Sequence, residues 1–227
     1  MADRAAFIRA WTTLAPPPLV PEIVVATASD ATDLWQATEE TLAAIGLPPP
    51  FWAFPWAGGQ AIARWMLDRG DQVAGRTVLD LGAGGGLVAI AAAKAGAARS
   101  IAVDIDPFAE TAQSLNATAN GVAVERVQAD IIGTPAGTGP LAGVQVLTAG
   151  DVCYESALSG RIIAWLRGLA AEGVTVLLGD PGRQFAPTDG LMPLAQYDVP
   201  TPLALEDRPV RTTGVWRVRP GSSAAQA

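Results

Sequence analysis

Residues 77–95 read TVLDLGAGGGLVAIAAAKA. The first five, Thr77–Leu81, form a short apolar run of the kind that makes a strand covered on both faces. A glycine-rich turn follows, and then an apolar, alanine-rich stretch, Leu87–Ala95, that reads as a helix. Glycines at such a turn let the backbone bend sharply and approach a ligand closely. The helix behind them points its amide-rich end at that ligand. The spacing here is G-x-G-x-G over Gly82, Gly84 and Gly86, not the G-x-G-x-x-G of dinucleotide sites. A carboxylate, Asp80, stands just before the loop. It would repel a pyrophosphate and welcome a ligand that carries ammonium and sulfonium charge. A methyl donor fits this loop better than a nicotinamide dinucleotide.

Downstream the same rhythm repeats. Ser100–Asp104 reads as a strand and Pro107–Ala119 as a helix opened by proline. Val122–Gln128 is a third strand and Ile132–Gly143 a Gly/Pro loop. Val144–Ala149 is a fourth strand, Ser156–Ala170 a helix and Val174–Leu178 a fifth strand. The remainder reads as irregular, with strand-like pieces at Ala195–Val199 and Thr213–Val218. Alternation with short turns predicts a mainly parallel α/β sheet with helices on both faces. Ligands bind such sheets beyond the carboxyl ends of the strands.

Upstream, Ala2–Leu14 reads as a short helix stopped by Pro16–Pro18, and Ile23–Ala26 as a β-like run. Asp30–Ile45 has helical spacing through Leu34, Thr38, Leu42 and Ile45. These readings divide the chain into an N-terminal helical extension over residues 1–49, an α/β domain over 50–219 that carries the glycine loop and a disordered tail over 220–227.

The 227 residues carry a net charge of −7, which does not favour a nucleic-acid partner. There is no histidine, so imidazole catalysis and His-ligated metal sites are excluded, and no metal is expected. The single cysteine, Cys153, cannot form an internal disulfide, which suits a reducing compartment. It reads as buried, not reactive. The N-terminus carries Asp3, Arg4 and Arg9 with no long apolar run behind them, and no stretch suits a membrane span. We therefore expect a soluble protein of the bacterial cytoplasm; an organelle matrix reads the same way.

Three aspartates fall at successive strand ends. Asp104, about 20 residues beyond the glycine loop, is placed to accept ribose hydroxyls. Asp106 precedes Pro107 and can cap the helix that starts there. Asp130 can accept from an adenine amino group, with Ile105 and Ile131 packing nearby.

Asp80–Gly86, Asp104 and Asp130 together resemble the class I, seven-strand S-adenosylmethionine-dependent methyltransferases. Two further stretches resemble the electron-transfer-flavoprotein β-subunit protein lysine methyltransferase branch. One is PFWAFPWAGGQ at residues 50–60; the other is AGDVCY at 149–154, with its acidic-x-x-aromatic form. The resemblance runs from about Pro50 to Val218. It implies a Rossmann-like seven-stranded sheet and transfer of methyl groups from S-adenosylmethionine to a protein lysine, leaving S-adenosylhomocysteine. The protein substrate it implies is the flavoprotein β subunit. It places the cofactor against Trp56, Asp80, Gly82, Ala83, Gly84, Gly86, Asp104, Ile105, Asp130, Ile131 and Ala149. It sets Asp151 and Tyr154 at the transferred methyl, facing the lysine amine.

The residues themselves leave alternatives open. Asp151 also reads as an N-cap for the helix that follows it. Trp52, Phe54 and Trp56 alternate like the buried face of a strand, in which case Gly58 and Gly59 merely open a helix Gln60–Leu67. Gly179–Arg183 reads as a turn lining the substrate cleft. The cofactor half would equally serve a methyltransferase of a small molecule or a nucleic acid base. A carboxylate beside lysine poses a difficulty, because it favours the charged amine and only the neutral one is nucleophilic. Asp151 is accordingly assigned to orientation, not to base catalysis.

Overall fold

The computed structural model describes residues 3–28, 49–201 and 206–221. The helix expected over Asp30–Ile45 and the tail from 222 onward lie outside them.

The element that starts the sheet is β3 (Thr77–Leu81), followed by α3 (Leu87–Lys94), β4 (Arg99–Asp104), α4 (Pro107–Ala119) and β5 (Glu125–Gln128). The chain then returns to the other side of β3 with β6 (Val146–Gly150), α5 (Ser156–Ala171) and β7 (Thr175–Asp180). A hairpin of β8 (Leu191–Pro200) and β9 (Val210–Val218) completes seven strands in the order β5-β4-β3-β6-β7-β9-β8. β5 to β7 are parallel, and β9 enters antiparallel beside β7. The chain leaves β3 in opposite directions, toward β4 first and β6 later, so the switch in strand order lies at the carboxyl end of β3.

The core follows from period-two alternation along these strands. Val78, Ala102, Val146 and Leu177 face one layer, built from α2 (Ala57–Asp68) and α3. Leu79, Ile101, Leu147 and Val176 face the other, where α5 contributes Ile162, Leu166 and Leu169. All eight strand residues are buried.

Several boundaries differ from the sequence reading. The third strand begins at Glu125, not Val122. Val122 N–H is spent on Ala117 O, closing the end of α4, and pairing with β4 starts at Ile101↔Glu125. After β7 the strand-like pieces expected at Ala195–Val199 and Thr213–Val218 fall within β8 and β9, which run further and pair over nine positions. β8 is an edge strand, and a register shift between Pro193 and Ala195 absorbs its proline.

The front section is not helical alone. α1 (Arg4–Trp11) ends before Thr12, whose backbone is extended. Thr12–Ala15 is instead β1, paired antiparallel with β2 (Val25–Ala28). Consecutive threonines prefer the pleated surface. This unit packs on α4. Ile8 is buried with Trp52, Phe54, Ala109 and Ala112, and Asn116 Oδ1 accepts from Ala26 N at 2.8 Å.

Candidate functional site

The glycine spacing is explained by backbone geometry. Gly82, Gly84 and Gly86 have φ of 64°, 49° and 83°, the left-handed region that only glycine enters without strain. The turn is then fixed from both sides. Asp104 Oδ2 accepts from Gly84 N at 2.8 Å, and its Oδ1 accepts from Asp106 N at 3.0 Å. From α4, Gln113 Nε2 donates to Gly84 O and Asn116 Nδ2 to Gly85 O. Asp106 caps α4 through Phe108 N at 2.8 Å, as its place before proline suggested.

Asp80 is 2 % exposed and accepts from Thr148 Oγ1 at 2.7 Å. Burial pushes its carboxyl up to about 7, and the charge of Asp104 adds to the rise. It faces a small crevice of about 60 Å³ under the loop, together with Gly82, Ala83 and Gly59. β2 closes the crevice with Val25 and Ala26.

Beyond the loop opens a larger cavity of about 480 Å³. Gly82, Gly84 and Asp104 line its floor; Ile105, Asp130 and Ile131 line one wall. Asp130 Oδ1 accepts from Ile132 N at 3.0 Å. Trp52, Trp56, Asp151, Tyr154 and Arg183 line the opposite wall. The structure therefore brings most of the sequence-derived residues to one cavity.

Four do not line it. Ala149 is wholly buried among the core residues of β6, and Gly150 and Val152 form that wall instead. Gly86 sits at the start of α3 with its Cα turned to Gln113, and it lines neither space. Asp80 and Ala83 face the small crevice alone.

The aromatic run is not a strand. Phe51–Ala53 is a single 3-10 turn, and α2 begins at Ala57, three residues before the expected start. Trp52 and Phe54 are buried on α1 and α4, whereas Trp56 is partly open to the cavity. Trp56 Nε1 donates to Phe51 O at 3.0 Å, and the Phe51 ring lies 6.0 Å from those of Trp56 and Tyr154. Tyr154 is 54 % exposed at the mouth; burial of its inner part raises its hydroxyl pKa, assisted by Glu155 and Asp104.

Asp151 is the one non-glycine residue with positive φ among the described residues, at 57°. That twist turns its side chain away from α5, whose first turn receives no side-chain cap. Asp151 caps the distant α2 instead: Oδ2 accepts from Gly58 N and, at 3.3 Å, from Gly59 N. Oδ1 accepts from Arg183 Nη2 at 2.9 Å. Burial raises its carboxyl to about 6, with Arg183 pulling the other way. Sequence reasoning placed Arg183 only in a turn; a lone cation following Asp-Pro-Gly after the fifth strand was the available signal. Cys153 is buried, and desolvation lifts its thiol to about 12, so it is inert.

A doubly wound sheet with left-handed glycines after β3, a carboxylate after β4 and an apolar cavity above them defines a nucleoside-binding methyltransferase of the class I type. Matches to known proteins agree. The family model of ribosomal protein L11 methyltransferase matches residues 64–138. A putative RNA methyltransferase from Pyrococcus horikoshii superposes with a TM-score of 0.52 at 15 % identity, covering 86 % of this chain and 98 % of that one. That likeness shows the fold alone. The chain is 38 % identical to the electron transfer flavoprotein beta subunit lysine methyltransferase of Xenopus laevis over 220 residues, 94 % of this chain and 86 % of the relative. The Rattus norvegicus protein of the same name is 38 % identical over 177 residues, 75 % and 68 % of the two chains. The chain belongs to this family.

It is an S-adenosylmethionine-dependent methyltransferase. The residues present fit that cofactor: the loop glycines put no side chain between backbone and cavity, the walls are apolar, and the buried acidic groups suit a cationic ligand. No helix among the described residues is long and apolar enough to cross a membrane.

Proposed function

We propose that the chain methylates the ε-amine of a protein lysine, and that the protein is the electron transfer flavoprotein β subunit. The observation that carries this is one cavity with two ends: a nucleoside cradle at Gly82, Gly84 and Asp104, and an aromatic-acidic mouth at Phe51, Tyr154 and Asp151. The relatives' names supply the target.

Each sequence-derived residue then has a task. Asp104 would hold the ribose hydroxyls with the lone pairs that its backbone partners, the amides of Gly84 and Asp106 among them, leave over. Ile105 and Ile131 would sandwich the adenine, with Asp130 accepting its amino group. The crevice at Asp80, Gly82 and Ala83 is too small for a nucleoside and suits the amino-acid end of the cofactor, whose ammonium Asp80 would face. Trp56 would lie against the methyl-bearing sulfur. Gly86 and Ala149 support the cradle from behind. S-adenosylmethionine supplies an electrophilic methyl on a sulfonium.

The lysine must arrive neutral. Its proton leaves to water through the open mouth. With the amine held in line by Asp151 and Tyr154, its nitrogen would take the methyl and the S–C electron pair would go to the sulfonium sulfur. Such a displacement depends on alignment above all. Tyr154 and Phe51 offer the aromatic walls that accept a cationic, methylated amine. A buried, inert Cys153 also fits a reducing compartment, and we assign the enzyme to the cytoplasm.

The test is transfer of tritiated methyl from S-adenosylmethionine to purified electron transfer flavoprotein, with peptide mass spectrometry of the product. Label on β-subunit lysines is expected. Label confined to small molecules or to RNA in a lysate would overturn the reading.

A further inference from the structure

A free carboxylate at Asp151 would hold the incoming amine in its charged, unreactive form. It is not free. Both oxygens are engaged, Oδ2 by the amides of α2 and Oδ1 by Arg183 Nη2. Arg183 is itself clamped on its far side, donating to Glu206 Oε1 at 2.7 Å and to Oε2 at 3.3 Å. Glu206, 6 % exposed, receives a second arginine, Arg211, at 2.9 Å. Carboxylate and guanidinium thus alternate from the cavity toward the surface, as Asp151, Arg183, Glu206 and Arg211. Arg183 also lies 5.8 Å from the Trp56 ring centroid and lines the cavity.

We propose that Arg183 is a positioning residue for methyl transfer: it pairs with Asp151 and fixes its orientation, so that a substrate lysine meets a paired carboxylate and gives up its proton more readily than it would beside a free one. This rests on the lysine reading above.

The other charged and titratable groups around this point do not replace Arg183. Asp180, at the end of β7, spends Oδ1 on Gly182 N and Arg183 N, while its buried Oδ2 has no hydrogen-bond partner and its negative charge acts on Asp151, so it adds to the need for Arg183. Asp207 pairs with Arg211 at the surface. Cys153 is protonated, Tyr154 is a neutral phenol, and Glu155 and Asp104 lie toward Tyr154. From α2 come only the Gly58 and Gly59 amides. Arg183 is the cation in direct contact with Asp151 among the described residues.

The experiment is the single-turnover rate against pH, on a lysine of the flavoprotein β subunit, for the wild type and for Arg183→Gln, Arg183→Lys and Glu206→Gln. Calorimetric S-adenosylhomocysteine binding is measured on each. Arg183→Gln should move the acid limb of the rate profile up by about one pH unit. The rate would be about tenfold lower on that limb and would recover at alkaline pH. Arg183→Lys should restore most of the wild-type profile. Glu206→Gln removes a negative charge and should move the limb the other way. Homocysteine-product affinity should stay within about twofold, since one pH unit on the amine leaves the nucleoside cradle untouched. An unmoved limb, or a loss of rate equal at every pH, would overturn the proposal. Absence of lysine transfer by the wild type would overturn the underlying reading instead, before any variant is compared.

Discussion

Gly58→Ala should destabilise the protein and dislodge Asp151, although helix propensity alone says the opposite. Alanine is favoured over glycine inside a helix by about 1 kcal/mol. At Gly58, however, an added Cβ would fall 2.6 Å from Asp151 Oδ2 and 2.8 Å from Asp151 N, and nearer still to Gly179 O. Two of these three are backbone atoms at the ends of β6 and β7. They cannot swing aside as a side chain would. Inserting a methyl into so tight a contact costs about 3 kcal/mol at the upper end of ordinary overpacking. For a chain of this size that is a fall in melting temperature of roughly 6–12 °C. The same displacement breaks the Asp151 cap on α2. Gly168→Ala is the matched control: that residue is exposed within α5, and an added Cβ meets nothing within 4 Å. It should raise the melting temperature by roughly 1–4 °C. Differential scanning calorimetry of both variants decides the matter. If Gly58→Ala melts at or above the wild-type temperature, α2 does not pack on the sheet ends as described.

Two further outcomes concern the cofactor. Asp104→Ala should weaken S-adenosylhomocysteine binding at least about tenfold, the worth of one hydrogen bond to a charged acceptor; an unchanged calorimetric affinity would show that the ribose is held elsewhere. Asp80, lifted to about 7 by burial, binds its proton more tightly in the folded chain than in the unfolded one. Its contribution to stability is therefore full below the ordinary carboxylate range and is lost as pH rises through about 7. A ligand ammonium favours the ionised form, so affinity should rise from pH 6 to 8, with proton release on binding; Asp80→Asn should flatten both trends, and a pH-independent affinity in the wild type would remove Asp80 from the ammonium site.

What could be read from the sequence was local. The glycine loop declares itself within five residues, because the need for three left-handed φ values leaves its mark as three glycines. Asp104 and Asp130 were legible because a strand end fixes where the next side chain points. α4 was placed to the residue by Pro107 and by Asp106 before it. Ala149 was misplaced for the converse reason. In a strand buried on both faces a shift of one residue exchanges wall for core, and apolar sequence offers no clue to which.

The part that was not legible is the part that joins the two ends of the site. Asp151 meets Gly58 across 93 residues of sequence and Arg183 across 32, and neither pairing has a local signature. Gly150 was read within the 149–154 motif and Gly179 as the start of a turn at the cleft, yet an added Cβ at Gly150 would lie 2.8 Å from Gly59 N, and one at Gly179 would lie 2.7 Å from Ile62 Cγ1. These glycines exist so that the first turn of α2 can lie directly on β6 and β7. That contact brings Trp56 over the cavity and gives Asp151 two amides to hold. The positive φ of Asp151 follows from it, since only that twist aims the carboxylate at a helix behind it. A residue that sequence suggested as a contact for the substrate is thus also the pin between α2 and the sheet. Substituting Asp151 would disturb cofactor wall and substrate mouth together. Arg183, which touches Asp151 and stands over Trp56 but does not hold the amides of α2, is the place to perturb the charge at the mouth while leaving the Asp151 cap on α2 in place.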